Sequence, residues 1–139
     1  MKRRPHLLIA AVLAVLAPSL ASAENYQASK SAPINTSTAV TTQLVPAVNG
    51  QGIYVTSFNF VMAASQTVQF EYGSGATCGT GTTILTGAYA AGALAELAIS
   101  SGSGVGLILA VPAAATGNAL CMVTSAATQV SGSVSYTQQ

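Results

Sequence analysis

The stretch Ile53–Met62, with the sequence IYVTSFNFVM, is the clearest strand pattern in this 139-residue chain. Side chains of a strand alternate between its two faces. We therefore expect one face to carry Tyr54, Thr56, Phe58, Phe60 and Met62. The opposite face carries Ser57 and Asn59, but Ile53, Val55 and Val61 give it apolar character as well. This pattern predicts a strand in the middle of a sheet.

Residues 67–73, with the sequence TVQFEYG, predict a second strand of the same kind. Val68, Phe70 and Tyr72 fall on one side, and Gln69 and Glu71 fall on the other. We interpret the aromatic stripe along these two strands as core packing. A ligand platform is the less favoured alternative.

Shorter strand patterns, separated by turn signals such as Asn49-Gly50, extend along the rest of the chain. They cover residues 38–45, 82–86, 105–111, 120–124 and 129–137. Many short strands at close intervals are typical of an all-β protein. We predict a single β-sandwich over residues 38–139, jelly-roll-like or immunoglobulin-like, with about seven to eight short strands.

Residues 88–99 are ambiguous between strand and helix. The alanines and leucines of this segment have good helix propensity. Gly92 interrupts any helix in the middle of the run, and Leu94, Glu96 and Ala98 alternate with apolar neighbours. We favour a strand here and keep the helix as the alternative.

Cys78 and Cys121 are the two cysteines of the chain. The N-terminus carries a secretory leader, described next, and exported proteins fold in an oxidising compartment. We therefore predict a structural disulfide between them. A redox or metal-binding pair is the alternative, but it lacks the CxxC spacing and any nearby histidine.

The N-terminus has the three parts of a secretory signal. Lys2, Arg3 and Arg4 are followed by the apolar run 7–17 and by Ala21-Ser22-Ala23. We predict general secretion with cleavage after Ala23, and hence a secreted or periplasmic bacterial protein. The apolar run has 11 residues, whereas a membrane span needs about 20, so a retained anchor is the weaker alternative. Residues 24–37 are polar and irregular, and we predict a flexible N-terminal arm.

Cleavage leaves 116 residues that contain no His, Asp, Arg or Trp. The full chain has a net charge of +1, but the remaining side chains are one lysine, Lys30, and three glutamates. With no basic face to neutralise phosphates, nucleic-acid binding is not expected. We also expect no cofactor and no metal, because an acidic ligand cluster is missing. Low charge weakens repulsion between copies, so a homo-oligomer is consistent with the composition.

The same composition argues against an enzyme. A Ser or Thr nucleophile needs a base, and the candidates are limited to Lys30, the glutamates and tyrosines. A glycosidase needs two facing carboxyl groups, and Glu71 with Glu96 could supply them only on neighbouring strands. We interpret both as outward strand residues that keep their face soluble, and we predict no catalytic residues.

The region from Thr67 to Tyr136 resembles a loose group of small uncharacterised disulfide-containing β-rich proteins of phages and bacteria. The resemblance is carried by residues 68–73 (VQFEYG), 78–83 (CGTGTT), Leu120-Cys121 and 130–136 (VSGSVSY). It covers about half of the chain and implies a disulfide-stapled β fold without an active site. The leader departs from what a virion protein needs, which argues against a capsid role.

Two non-enzymatic functions remain. The first is a structural or interaction protein, a subunit of a surface or extracellular assembly, joined by a strand edge or by the arm. The second is a monomeric secreted binding module for glycans or a surface protein. Tyr26 and Tyr89 lie outside the clearest core stripes, and we select them as candidates for such a surface.

Overall fold

The computed structural model describes residues 26–102 and 106–139, which form two antiparallel sheets and no helix. The predicted leader, residues 1–23, lies outside the described residues. The strands are β1 (Lys30–Thr36), β2 (Thr42–Val45), β3 (Ile53–Met62), β4 (Gln66–Ser74), β5 (Thr80–Ile84), β6 (Tyr89–Ala91), β7 (Glu96–Ser100), β8 (Leu109–Val111), β9 (Ala119–Thr124) and β10 (Val130–Gln138). No helix in the described part of the chain could cross a membrane.

The strand order confirms the prediction of an all-β sandwich. Sheet A has the order β1-β10-β3-β7, with β8 also paired to β3, and sheet B has the order β2-β9-β4-β5, with β6 also paired to β4. Two short strands thus share one position beside each long central strand. Counted by position, the sandwich has eight places in the order of a jelly roll, although the strands number ten. The immunoglobulin-like alternative is wrong.

The core lies between the sheets and is built mainly by β3, β4, β9 and β10. The largest completely buried side chains in it are Phe60 and Phe70. On β4 the predicted alternation is confirmed from Val68 to Phe70, with Gln69 on the outer face, whereas beyond it Glu71 is buried and Tyr72 is only half-buried. The aromatic stripe therefore serves packing, as predicted.

A β-bulge in β3 overturns the predicted face of its first half. Val55 pairs with Tyr136 and Ser57 with Ser135, so Thr56 is an extra residue in the ladder. The extra residue reverses the alternation: Ile53 and Val55 point into the core, and Tyr54 points outward. This reversal explains Ile53 and Val55, two of the three aliphatic residues that suggested a two-faced strand, whereas Val61 stays on the exposed outer face.

The bulge also divides the strand that runs beside β3. β8 pairs with the segment before the bulge, and β7 pairs with the segment after it. Between them the chain leaves the sheet, with Ser101 N–H donating to the Thr56 carbonyl at 3.0 Å and Ile108 N–H to the Val55 carbonyl at 2.7 Å. The division between the two short strands thus coincides with the inserted residue.

The prediction of a flexible arm over residues 24–37 is wrong for Lys30–Thr36, which form β1. This strand pairs with β10 along its whole length, and Ala32 and Ile34 are buried in the core. Because its residues are small and polar, the sequence pattern did not indicate that this segment is a half-buried strand. Pro33 fits the edge of a sheet, where no partner requires its missing N–H. Within the arm, residues 26–29 have no regular structure, and residues 24–25 lie outside the described part.

Three other predicted strands differ in their limits. Residues 38–40 form a bend, so β2 begins only at Thr42. Of the predicted strand 105–111, Leu109–Val111 is a strand, while residue 105 lies outside the described part. The segment 88–99 contains no helix, and residues 89–91 and 96–99 are strand, as favoured, but residues 92–95 form a turn and the two strands β6 and β7 belong to different sheets. The turn after Ala91 carries the chain across the sandwich.

The predicted disulfide Cys78–Cys121 is present and completely buried, with the two Cα atoms 6.3 Å apart. It joins the β4–β5 loop to the outer face of β9, where Ala119 packs beside it. The loop lies so close that a Cβ on Gly73 would come within 2.5 Å of the Cys78 carbonyl oxygen. The bond therefore fastens a loop onto sheet B and does not connect the two sheets.

Replacing both Cys78 and Cys121 with alanine should lower the free energy of unfolding by about 4 kcal/mol, because the bond closes a long loop in the unfolded chain. Urea denaturation of the oxidised protein and the variant measures the difference. In the presence of reductant the gap should close. A gap that persists under reduction would show that side-chain packing, and not the bond, causes it.

Gly132 permits β10 to lie close to β3, so Gly132→Ala should destabilise the protein by about 3 kcal/mol. A Cβ there would overlap the Asn59 carbonyl oxygen and approach the Phe60 Cα to 2.6 Å. Gly87→Ala is the matched control, because a Cβ at that position meets nothing within 4 Å. Equal urea midpoints for the two variants would contradict this account of Gly132.

Candidate interaction surface

The two sides of the sandwich are closed to different degrees. On one side β1 lies against β2, and their inward residues Ile34, Leu44 and Val45 are buried. On the other side run β5 and β6 of sheet B and β7 and β8 of sheet A. We call this second side, formed by β5, β6, β7 and β8, the open side.

Apolar side chains on the open side are only partly covered. They pack against the core but remain accessible to solvent, and they are Leu85, Tyr89, Leu97, Ile99 and Ile108. The ring of Tyr89 lies 5.9 Å from that of Phe58 and 6.5 Å from that of Phe70. Side chains that pack against the core are therefore accessible to solvent on the open side, and one copy does not bury them completely.

The edge strands of the open side contain no proline and only one charged residue, and these are two features that oppose pairing with another chain. All five residues of β5 are exposed, and the strand has neither charge nor proline. β7 has one charged residue, Glu96, at its end. β1, on the closed side, carries Lys30 and Pro33, both of which oppose pairing with another chain. The open side thus carries a fully exposed, uncharged edge at β5, whereas β2, the second edge of the closed side, is uncharged but half-buried.

The segment 87–95, with the sequence GAYAAGALA, crosses the open side from β6 to β7. It contains no charged residue, and most of its residues are exposed. Leu94 is 78% exposed, the highest value among the exposed large hydrophobic residues, and its φ is +59°. Left-handed backbone is unfavourable for leucine, so a large apolar side chain is presented to solvent at an energetic cost.

The outer face of sheet A is mainly polar, and Glu96 at the start of β7 is a charged residue on it. Hydroxyl and amide groups cover it, contributed by Ser31, Asn35, Ser57, Asn59, Ser131, Ser133, Ser135 and Thr137. The Ser133 hydroxyl lies 2.7 Å from Asn59 Oδ1, and Gln129 Nε2 donates to Asn35 Oδ1 at 2.7 Å. This face is suited to hydrogen bonding with a neutral, polar ligand.

The two tyrosine candidates lie far from one another in the fold. Tyr26 stacks on Tyr54, with ring centroids 4.5 Å apart, beside the outer face of sheet A. Tyr89 is on the open side, but its ring faces the core and is partly buried. The structure does not bring them into one site. The bulge at Thr56 directs Tyr54 outward, and no sequence pattern indicated that pairing.

The two glutamates of the described region do not form a catalytic pair. Glu71 lies on β4 in sheet B and Glu96 on β7 in sheet A, both on outer faces. Glu96 is exposed, as predicted, but Glu71 is only 9% exposed, and Thr41 Oγ1 donates to its Oε1 at 3.2 Å. The prediction that Glu71 keeps its face soluble is therefore wrong, because the segment before β2 covers it. Among the described residues, no group of three His, Cys, Asp or Glu could hold a metal.

Comparisons with protein-family models, curated proteins and solved structures find no match for this chain. The resemblance to β-rich proteins of phages and bacteria stays a prediction.

Leu94→Asn should raise the free energy of unfolding of the dilute protein by about 1 kcal/mol, because asparagine tolerates left-handed backbone better than leucine. Ala93→Asn is the control, since residue 93 lies in the same exposed turn without a positive φ. Urea denaturation compares the two variants with the parent protein. A lower midpoint for Leu94→Asn than for Ala93→Asn would show that the leucine is not strained.

Proposed function

We propose that this chain is a secreted, non-enzymatic structural subunit that assembles with other copies of itself through the open side. The observation that carries the proposal is the difference between the two sides of the sandwich. Inward residues of β1 and β2 are buried, whereas Leu97 and Ile99 of β7 and Tyr89 of β6 stay partly exposed. A contact that covers these residues gains the hydrophobic free energy that a single copy leaves unused.

The edges of the open side provide the hydrogen-bonding groups for such a contact. An edge strand presents unpaired backbone N–H and C=O groups that can pair with another chain. When two copies are related by a two-fold axis normal to the sheet, the same edge strand of each runs antiparallel to its mate. β7 of both copies can therefore continue sheet A in the pairing that the sheet already uses.

The charge distribution supports close approach of identical copies. The described residues contain one lysine, Lys30, and two glutamates, Glu71 and Glu96. Lys30 is on the closed side and Glu71 is buried, so Glu96 is the charged residue of the open side. Repulsion between copies is weak under these conditions.

Secretion is part of the proposal. The leader pattern of residues 1–23 and the disulfide Cys78–Cys121 agree with an extracellular or periplasmic location. An oxidising compartment keeps this disulfide intact, and the disulfide holds the β4–β5 loop against β9.

A neutral glycan-binding module is the second candidate, favoured by the outer face of sheet A. A shallow depression of about 230 Å³ lies between β3 and β7, with Ser57, Asn59 and Ser100 in its lining. The stacked Tyr26 and Tyr54 add an aromatic surface beside the same sheet. Saturable binding of a neutral polysaccharide by a monomer, lost in Asn59→Ala, would favour this candidate over assembly.

The assembly proposal predicts that lysine on the open edges prevents association. Ala98→Lys on β7 combined with Thr83→Lys on β5 places a charge on both exposed strands. Light scattering across a wide range of concentration should show growth for the parent protein and a monomer for this variant.

Ser31→Lys combined with Asn35→Lys is the matched control, because it adds the same two charges to exposed positions of β1, an edge that is already guarded. Its association should equal that of the parent protein. A parent protein that stays monomeric at every concentration contradicts the proposal, and so does equal loss of association in the control.

A further inference from the structure

Tyr26 and Tyr54 are in ring contact beside the outer face of sheet A. Their ring centroids lie 4.5 Å apart and the ring planes differ by 27°, so the two phenols overlap face to face. Both side chains are half-buried, which leaves part of each accessible to solvent. The other ring contacts of the described residues all include a phenylalanine, so this is the contact there that joins two tyrosines.

The hydrogen bonds of Ser29 attach the N-terminal segment to sheet A. Ser29 N–H donates to the Tyr136 carbonyl at 3.1 Å, and the Ser29 hydroxyl lies 3.1 Å from that of Thr137. Thr137 pairs with Tyr54 in the ladder between β10 and β3. The chain is thus held on β10 at the level of Tyr54, and three residues earlier Tyr26 lies against the Tyr54 ring.

Tyr54 is the fixed member of the pair. Its ring lies close to Gly52, because a Cβ at Gly52 would come within 3.1 Å of Tyr54 Oη. Gly52 is held in turn by two hydrogen bonds with Gln139, of 2.8 and 3.2 Å. Tyr26 lies on residues 26–29, which have no regular structure. One ring is therefore held by the sheet, and the other lies on a segment that can adjust to it.

Other oxidisable side chains of the described residues are buried in the core or packed against it. The sulfur-containing residues are completely buried, and they are Met62, Met122, Cys78 and Cys121. Sulfur is oxidised according to its exposure, so these groups are protected in the native state. The other tyrosines lie in the core or pack against it, and they are Tyr72, Tyr89 and Tyr136. The described part of the chain has no tryptophan or histidine. Tyr26 and Tyr54 are therefore the oxidisable pair that an oxidant in solution can reach.

We propose that Tyr26 and Tyr54 are a modification site, at which a peroxide acting through a peroxidase joins the two rings by a dityrosine bond. Rings that are held in contact do not need to find one another, so coupling of this pair is faster than coupling between copies. The site is independent of assembly through the open side. Its exposure to an extracellular oxidant rests on the secretion that is part of the proposed function.

The coupling is a two-electron oxidation. Each phenol loses one electron and one proton, and the unpaired electron is then shared between the oxygen and the ring carbons ortho to it. The two radicals form a carbon–carbon bond between ortho carbons, and each displaced ring proton moves to its phenol oxygen, so both phenols are restored. Hydrogen peroxide accepts the two electrons and two protons and yields two molecules of water.

The bond holds β1 in sheet A. Tyr26 precedes β1 in the chain and Tyr54 lies on β3, while β10 lies between β1 and β3 in the sheet. A link between the two rings therefore crosses β10 and retains the first residues of β1 at the sheet edge. The link also closes a loop in the unfolded chain, which restricts that chain as a disulfide does. The cross-linked protein should therefore have a higher urea midpoint than the untreated protein.

Treatment of the dilute native protein with peroxidase and hydrogen peroxide tests the site. The product should have lost two hydrogen atoms in mass, should show dityrosine fluorescence and should remain a single chain in denaturing electrophoresis. Mass spectrometry of its proteolytic fragments should find Tyr26 joined to Tyr54. Protein unfolded in urea should give much less of this product, because the two rings are then no longer in contact.

Single variants identify the residues that couple. Tyr54→Phe should lose the product, because phenylalanine keeps the ring but has no phenol to oxidise, and Tyr26→Phe should lose it for the same reason. Tyr89→Phe is the matched control, because it removes another half-buried tyrosine whose ring contacts are with Phe58 and Phe70. Its yield of dityrosine should equal that of the parent protein. Urea denaturation of untreated samples verifies that the variants are folded.

The outcomes separate this inference from the proposed function. Equal yields of dityrosine from Tyr54→Phe and the parent protein overturn the inference, and so do fragments in which two other tyrosines are joined. Covalent dimers as the main product at high dilution overturn it as well, because coupling then occurs between copies. A parent protein that is monomeric at every concentration but forms the bond between Tyr26 and Tyr54 supports the inference and contradicts assembly through the open side.

Discussion

Contact between the aromatic residues of β3 and β4 is the interaction on which the rest of the sandwich depends. The ring centroid of Phe58 lies 4.7 Å from that of Phe70, and Phe60 lies 6.3 Å from the same ring. These two strands are the long inner strands of their respective sheets, and only residues 63–65 separate them in the chain. Each pairs with a long strand on one side and two short strands on the other, so the layers are assembled around this pair.

The sequence predicted those parts of the fold in which apolar side chains recur at every second position of a strand. The alternation is regular from Val68 to Phe70, and the two cysteines have one another as partners. The direction of Tyr54 was beyond prediction, because the bulge at Thr56 is a property of pairing with β10 and not of local composition. β1 was missed for a similar reason: only the partner strand decides that its small residues are buried.

The location of the candidate surface was not predictable from the sequence. Low charge indicated self-association, yet exposure of the apolar segment 87–95 depends on the path of the chain between sheets. The two tyrosines chosen from the sequence have separate roles, since Tyr89 packs against core rings and Tyr26 against Tyr54. The type of a residue indicates which contacts it can make. The order of the strands decides which of these contacts are already made within one copy.

Division of the open side into short strands affects how the native state fluctuates. β8, β6 and β5 each align only three residue pairs with their central neighbour, whereas β1 aligns seven with β10. Strands with few cross-strand bonds open by local unfolding at a low free-energy cost, independently of the global transition. The backbone amides of this side should therefore exchange with solvent long before those of β1 and β10. The same low cooperativity lets one short strand be displaced while the rest of the sandwich stays intact.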